Sequence, residues 1–337
     1  MRALFIGGSG IISTAVTRLA LAQGWEVTLL NRGVHAQPSH AQLHNIRGDI
    51  HEEAVIATLL AGENFDTVID FIAYTPDEIA RDIRLFRQKT AQYIFISSTS
   101  AYAKPLPFPV TETCALGNVY WSYAQEKERC ENLLMQEYQD SHFPVTIVRP
   151  SHTYSEQSLP LALHGANGPW QTLARMLHQE PVLIPGDGTS LWTMTHSDDV
   201  AVGIVGLMGH ASAIGQAYHI TGDEALAWNS IYAILGDALG TTPVLAHVSS
   251  DFLVACNPAL QGALLGDKAN TSVFDNTKIK QAVSAFGAVI SAKEGLQKSV
   301  RHILKTPQLQ KADPVFDAWC NRVLAAVNGA KAQYAAD

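Results

Sequence analysis

Cysteine is scarce in this chain, and what there is of it is scattered. Cys114, Cys130, Cys256 and Cys320 stand far apart and none falls in a C-x-x-C pair. That spacing argues against a structural zinc site or a disulfide framework and suits a reducing, cytoplasmic setting. Charge is also sparse, at 16% of residues, and its balance is acidic, with a formal net charge of −8. Basic runs go no further than "KIK" near 278 and "KER" near 127. A nucleic-acid surface working by bulk charge is therefore not expected. Long hydrophobic runs are missing as well. "VAVGIVGLMG" (200–209) is far too short to span a bilayer. Glycines interrupt "MRALFIGGSG" at the start before it could act as a signal peptide. A soluble cytoplasmic protein is expected.

What is present is apolar content, 47% of 337 residues, enough for one large core or two modest ones. Strand-like and helix-like segments alternate through the first 150 residues. "ALFI" (3–6), "WEVTLL" (25–30), "LHNIRGD" (43–49), "DTVIDFIA" (66–73), "QYIFISS" (92–98) and "PVTIVRP" (144–150) have the character of strands, several of them apolar throughout, as in a parallel sheet covered on both faces. Helices are predicted at 11–24, 52–62, 76–89 and 122–138, the first closed by Gly24 and the third opened by proline and acids. Such alternation predicts an α/β fold, a Rossmann-type doubly wound parallel sheet.

After Pro150 the pattern loosens. Residues 151–170 resemble a loop, followed by a helix at 171–179 and a "PGDG" turn at 185–188. A helix at 196–208 is expected to have Ser197 or Asp198 near its N-cap, and "QAYHIT" (216–221) resembles a late strand able to rejoin the sheet. The expected division is a dinucleotide-binding domain over 1–160 joined by 196–222. A smaller C-terminal α/β lobe for substrate takes 161–195 and 223–330.

The glycine cluster "LFIGGSGIIS" follows the first strand and opens the first helix. Gly7, Gly10 and Ser13 give the spacing GxxGxxS where a dinucleotide fold usually has GxxGxxG. Gly7 frees the turn, Gly10 lets backbone amides approach a pyrophosphate, and the helix N-terminus favours the anion. The second strand ends in "LLNRG", with Asn31 and Arg32 where an NAD enzyme usually carries an acid. Arg32 can pair with a 2′-phosphate, so the cofactor expectation is NAD(P), leaning to NADP; a solvated loop arginine is the alternative. Asp49, after the third strand, is placed to meet the adenine edge.

Tyr123 and Lys127, in "YAQEK", share one face of a predicted helix. A lysine ammonium beside a partly desolvated phenol stabilises the phenolate by about 1–4 kcal/mol. That predicts a tyrosine pKa below its ordinary value of about 10.

Six segments in register, "GGSGIIS" (7–13), "GDI" (48–50), "FISSTSAY" (95–102), "YAQEK" (123–127), "RPSHTY" (149–154) and "THSDDVA" (195–201), resemble the extended short-chain dehydrogenase/reductase superfamily, in its branch of NAD-dependent epimerases and dehydratases. The resemblance implies that Ser98, Tyr123 and Lys127 act together. Tyr123 moves the proton, Ser98 bonds the substrate oxygen and Lys127 binds the nicotinamide ribose. It further implies a cofactor site formed by Gly7, Gly10, Ile11, Ile12, Asn31, Arg32, Asp49, Ile50, Ala73, Pro150 and His152. Thr99, Ser100, His152, Trp170 and Trp192 would meet the substrate, with His164 and residues around 250–275. His152 and Trp192 each have a structural alternative, a hydrogen-bonding histidine and a core tryptophan; the family position matching His196 is usually structural.

Two departures narrow the chemistry. Family dehydratases carry an Asp–Glu pair after the catalytic Ser or Thr, and Thr99 and Ser100 stand there, so dehydration is disfavoured. "GDGTSLW" puts Trp192 where nucleotide-sugar enzymes read GDGxxxR, which removes the arginine that clamps a diphosphate. The reading is an NAD(P)-dependent oxidoreductase or epimerase on a sugar-like or other small hydroxyl or ketone substrate, working as a homodimer. "LLNRG" and "GDKANTSVFDNTKIK" also resemble the chloroplast stem-loop RNA-binding proteins, an atypical branch of the same superfamily. A nucleotide- or RNA-binding protein without catalysis is thus the alternative. Retention of Ser98, Tyr123 and Lys127 and the net charge of −8 argue against RNA.

Overall fold

The computed structural model describes residues 1–33 and 39–335. Strands β1 (Arg2–Ile6), β2 (Glu26–Asn31), β3 (Leu43–Arg47), β4 (Thr67–Asp70), β5 (Tyr93–Ile96) and β6 (Val145–Pro150) arise where the apolar runs predict them. Between them lie helices α1 (Ile11–Ala22), α2 (Glu53–Leu59), α3 (Pro76–Phe86) and α4 (Ser122–Ser141). Short β7 (His152–Tyr154) breaks the stretch expected to be a loop. The chain continues through α5 (Trp170–Leu177), β8 (Val182–Pro185), β9 (Leu191–His196) and α6 (Ser197–Leu207) to β10 (Gln216–Ile220).

One seven-stranded sheet in the order β10-β6-β5-β4-β1-β2-β3 carries the fold, every pair parallel. It is a Rossmann-type α/β fold, and β10 rejoins the sheet beside β6. Apolar side chains alternate between the two faces. Ala3, Phe5, Val27, Leu29, Ile69 and Ile94 face one core, with Val200, Ile204 and Val205 of α6 and the buried face of α1. Leu4, Ile6, Leu30, Val68, Phe95 and Ile147 face the other, beneath α2, α3 and α4.

The rest of the chain adds β11 (Ala225–Ala227), α7 (Trp228–Leu239), β12 (Leu245–Val248), α8 (Ser250–Cys256) and α9 (Gln261–Ala263). Three helices follow, α10 (Thr277–Ala282), α11 (Ala292–Lys305) and α12 (Pro314–Tyr334). Here β11-β9-β7 and β12-β8 form two small sheets over a separate core built on Trp192, Trp228, Tyr232 and Leu296. One segment beyond residue 222 packs under the large sheet. Ile279, Val283 and Phe286 belong to the core under the large sheet, because Gly206 of α6 leaves a gap that Val283 fills; a Cβ on that glycine would lie 2.2 Å from Val283 Cγ1. Ser197 and Asp198 are the first two residues of α6, next to its N-cap position as expected. His196 takes the cap position, its Nδ1 accepting from the Asp198 amide at 3.3 Å. Among the described residues no helix is long and apolar enough to cross a membrane.

Candidate active site

The carboxyl ends of β1, β2, β4, β5 and β6 open on two adjoining cavities that share Gly7, Ser9, Ile72 and Tyr74. Gly7 turns the chain out of β1 at φ +78°, and a Cβ there would lie 2.4 Å from Ile72 Cγ2. Only glycine serves at that point. The following helix begins at Ile11 with no acid in its first turn, so its unpaired first-turn amides present partial positive charge. Ser13, in the place of the usual third glycine, is buried and accepts from the Gly10 amide at 2.9 Å. Gly10, Ile11 and Ile12 line the larger cavity, as a pyrophosphate site requires.

The smaller cavity, about 400 Å³, is lined by Asn31, Arg32, Asp49 and Ile50 with His51 and Glu78. Asn31 Oδ1 accepts from the Gly33 amide at 2.8 Å. Among the described residues its Nδ2 is buried with no partner, a donor that a ribose hydroxyl or a phosphate oxygen would satisfy. Asp49 Oδ1 accepts from the His51 amide at 3.0 Å, and Arg32 is exposed. A dinucleotide therefore fits this end on two counts, a glycine turn without room for a side chain and an orphaned donor.

The larger cavity, about 510 Å³, brings Ser98, Tyr123 and Lys127 together with Thr99, Ser100, Pro150 and His152. Ser98 Oγ accepts from the amide and the hydroxyl of Ser100 at 3.1 and 2.9 Å. Tyr123 and Lys127 lie one turn apart on α4, as their spacing predicts. Lys127 is buried, and its Nζ donates to the carbonyls of Ala73 (2.7 Å) and Ile96 (2.8 Å). It also lies 4.5 Å from the Tyr74 ring centroid, 4.7 Å from that of Phe95 and 5.9 Å from that of Tyr123. Burial pulls its pKa down to about 8, against the charge of Asp70.

The phenol does not behave as the sequence alone predicts. Burial, with Tyr74 beside it, pushes Tyr123 up to about 12, and only the neighbouring Ser98 opposes this. The ammonium expected to lower it is committed to the carbonyls of Ala73 and Ile96, 5.9 Å from the Tyr123 ring centroid. Burial wins.

His152 does line the cavity, packed against Trp192 with centroids 4.6 Å apart and the rings tilted by 43°. Burial and the Lys268 charge lower its pKa to about 3, so it is a neutral ring at pH 7. Trp192 itself is 2% exposed and packs on Trp228 at 4.6 Å; it supports His152 and is a core tryptophan. Trp170 is not at the site either, since its ring covers the second lobe's core from the start of α5. Ala73 is buried behind the cavity, where its carbonyl holds Lys127, and its neighbours Ile72 and Tyr74 line the site in its stead. His164 lines neither cavity; its Nδ1 meets Gly165 O at 2.9 Å. Sequence reasoning missed Tyr74, Trp121 and Asp267 as lining residues. The span 250–275 contained Asp267, but nothing in its pattern singled out one side chain.

Behind the site, Glu131 and Arg149 form a buried pair, with Nε 3.0 Å and Nη2 2.6 Å from the carboxylate. Ser97 also donates to Glu131, and Arg149 Nη1 donates to the Tyr102 hydroxyl at 2.7 Å. This network ties α4 to β5 and β6, and so fixes Tyr123 and Lys127 relative to Ser98.

The chain resembles known proteins along most of its length. It is 24% identical over 259 residues to the chloroplast stem-loop binding protein of 41 kDa b of Arabidopsis thaliana, a match covering 72% of this chain and 65% of that protein. Among solved structures, the UDP-glucose 4-epimerase of Thermotoga maritima superposes with TM-score 0.73 at 20% identity, over 91% of this chain and all of that one. The UDP-glucuronic acid 4-epimerase of Bacillus cereus, solved with UDP-glucuronic acid and NAD, gives 0.72 at 20% identity over 90% and 99%. The family model described as "NAD dependent epimerase/dehydratase family" matches residues 3–221. With the glycine turn, the orphaned Asn31 donor and a Ser, Tyr and Lys on one cavity all inside that span, this chain belongs to the NAD dependent epimerase/dehydratase family.

Proposed function

We propose that the protein is a nicotinamide-dependent oxidoreductase or epimerase acting on a small sugar-like hydroxyl or ketone substrate through Ser98, Tyr123 and Lys127. The observation that carries this is the meeting of those three side chains in one cavity with the glycine turn. What a bound nicotinamide supplies is a hydride acceptor or donor. Ser98 Oγ holds the substrate oxygen; the Tyr123 phenolate takes that oxygen's proton on oxidation, and the Tyr123 hydroxyl returns it on reduction. Lys127 retains one ammonium hydrogen beyond its two carbonyl bonds, enough to hold a cofactor ribose hydroxyl. Dehydration is disfavoured, because Thr99 and Ser100 offer hydroxyls where an acid pair would be needed. Residues 1–160 with 196–222 serve the cofactor; 161–195 and 223–330 shape the substrate end, the segment 277–286 excepted.

We infer a preference for NADP from Arg32 and the Asn31 donor, with no acid at the end of β2 to repel a 2′-phosphate. Calorimetry with NAD⁺, NADP⁺ and their reduced forms tests it. Arg32→Ala is expected to lose about ten- to hundredfold in NADP affinity and little in NAD affinity, the worth of one charge-assisted hydrogen bond. Equal losses for both would refute the preference. If the wild type binds no dinucleotide, the stem-loop-binding relative becomes the better guide and the RNA reading replaces this one. A homodimer through α3 and α4, which pack side by side, is the expected state; light scattering at the mass of one 36.5 kDa chain would exclude it.

A further inference from the structure

The substrate end of the larger cavity is closed by a segment with an unusual backbone. Leu264–Lys268 forms a π-helical turn, a rare conformation that is frequent at functional sites. It is pinned from several sides. Asn118 Nδ2 donates to Gly266 O and Ser100 O, both at 2.7 Å. Trp228 Nε1 donates to Lys268 O at 2.9 Å, and Asn270 Nδ2 to Leu265 O at 2.8 Å. Just before the turn, a Cβ on Gly262 would lie 2.3 Å from Trp121 Cδ1. The segment therefore closes directly against the residue two places before Tyr123.

From this turn Asp267 lines the cavity with Tyr123, Ser98 and His152. The other charged residue of the lining is Lys127, which is committed to its two carbonyls. The neighbouring Trp192 indole favours the carboxylate form of Asp267, and a carboxylate has acceptor positions for several donors. Burial raises its pKa while Lys104 and Lys268 oppose that. Neither lysine lines the cavity, and Lys268 Nζ is spent on the carbonyls of Leu161 and Ala162 at 2.9 and 3.3 Å.

We propose that Asp267 is the specificity residue of this site, accepting hydrogen bonds from substrate hydroxyls near the reacting carbon, and that the substrate is a free polyhydroxylated molecule, a sugar or sugar alcohol, carrying no nucleoside diphosphate. The inference rests on the Ser98–Tyr123–Lys127 chemistry proposed above and adds the substrate class to it. Its second support is Trp192, at the position where the resemblance implies a diphosphate-clamping arginine. In this chain that position is buried, and its indole favours the carboxylate form of Asp267. One residue thus removes the clamp and steadies a carboxylate that repels a phosphate. The cavity of about 510 Å³ reaches from the glycine turn to Asp267. Once it holds the nicotinamide half of a cofactor, the remaining space suits one small ring.

The test uses the full chain loaded with the nicotinamide cofactor it binds, against a panel of aldoses, ketoses and sugar alcohols with UDP-glucose and UDP-glucuronic acid alongside. Cofactor absorbance follows redox turnover, and proton NMR of the products follows epimerisation. A free polyol should react and the UDP-sugars should not. Asp267→Asn should raise KM for that polyol about ten- to hundredfold, with a far smaller change in kcat. Cofactor Kd and thermal midpoint should stay as in the wild type, which separates lost recognition from lost folding. Binding or turnover of a UDP-sugar overturns the proposal, as does an unchanged KM in Asp267→Asn. So does an inert panel on a protein that binds its cofactor. No cofactor binding by the wild type instead overturns the underlying chemistry.

Discussion

Tyr123→Phe is expected to lower turnover on the order of 10²–10⁴-fold, the usual worth of one general acid–base group, while cofactor affinity stays within about twofold. The reasoning is geometric. Removing a single hydroxyl leaves the ring against Tyr74 and Trp121, at 5.9 and 5.0 Å between centroids, so α4 keeps its packing. The pH dependence should carry the same signature. With the phenol held up to about 12, it is protonated at neutrality and ready to donate in the reductive direction. In the oxidative direction the phenolate fraction, and with it the rate, should rise about tenfold per pH unit. Above about 8 Lys127 begins to lose its proton, and with it the one hydrogen left for a cofactor ribose hydroxyl, so the slope should flatten. Steady-state rates of wild type and Tyr123→Phe across pH measure both effects. A mutant retaining more than a tenth of wild-type turnover would rule out Tyr123 as the proton carrier.

Arg149→Met should have the largest effect on stability, about 3–5 kcal/mol, because it strands the Glu131 carboxylate in a site 2% exposed. Five of the polar contacts around that pair disappear together, three to Glu131 and one each to Tyr102 and the Glu112 carbonyl. Pairing the change with Glu131→Leu should recover much of the loss, since a buried ion pair and an apolar pair of similar volume often differ little. Urea unfolding of the two single variants and the double variant decides it. A single variant within about 1 kcal/mol of wild type would mean that water reaches Glu131 and that the network is not sealed.

The Rossmann half was legible because its signals are strong and local. Strands such as "YIFI" are covered on both faces and therefore apolar throughout, and turns are marked by glycines that the backbone demands, as at Gly7. The second half was not, since β7, β8, β11 and β12 are three or four residues long and owe their existence to partners distant in sequence. No periodicity announces a π-helical turn, so Asp267 stayed hidden within a span of some two dozen residues. Tryptophan identity alone could not tell Trp192, sealed against Trp228, from a stacking surface for substrate. The error about Tyr123 has the same origin. The i, i+4 spacing gives the shared helix face, but only the fold shows that Ala73 and Ile96 claim the ammonium first.

The placement of Ile279, Val283 and Phe286 beneath the large sheet bears on how the molecule is made. A chain emerging from the ribosome has all seven strands of that sheet once residue 220 is out, yet the floor under α6 stays open until some sixty further residues follow. Through that interval α6 carries an uncovered apolar strip, the kind of surface that chaperones hold and that drives association between nascent chains. The large sheet is thus complete in topology well before it is complete in packing, and the last piece comes from residues beyond 277.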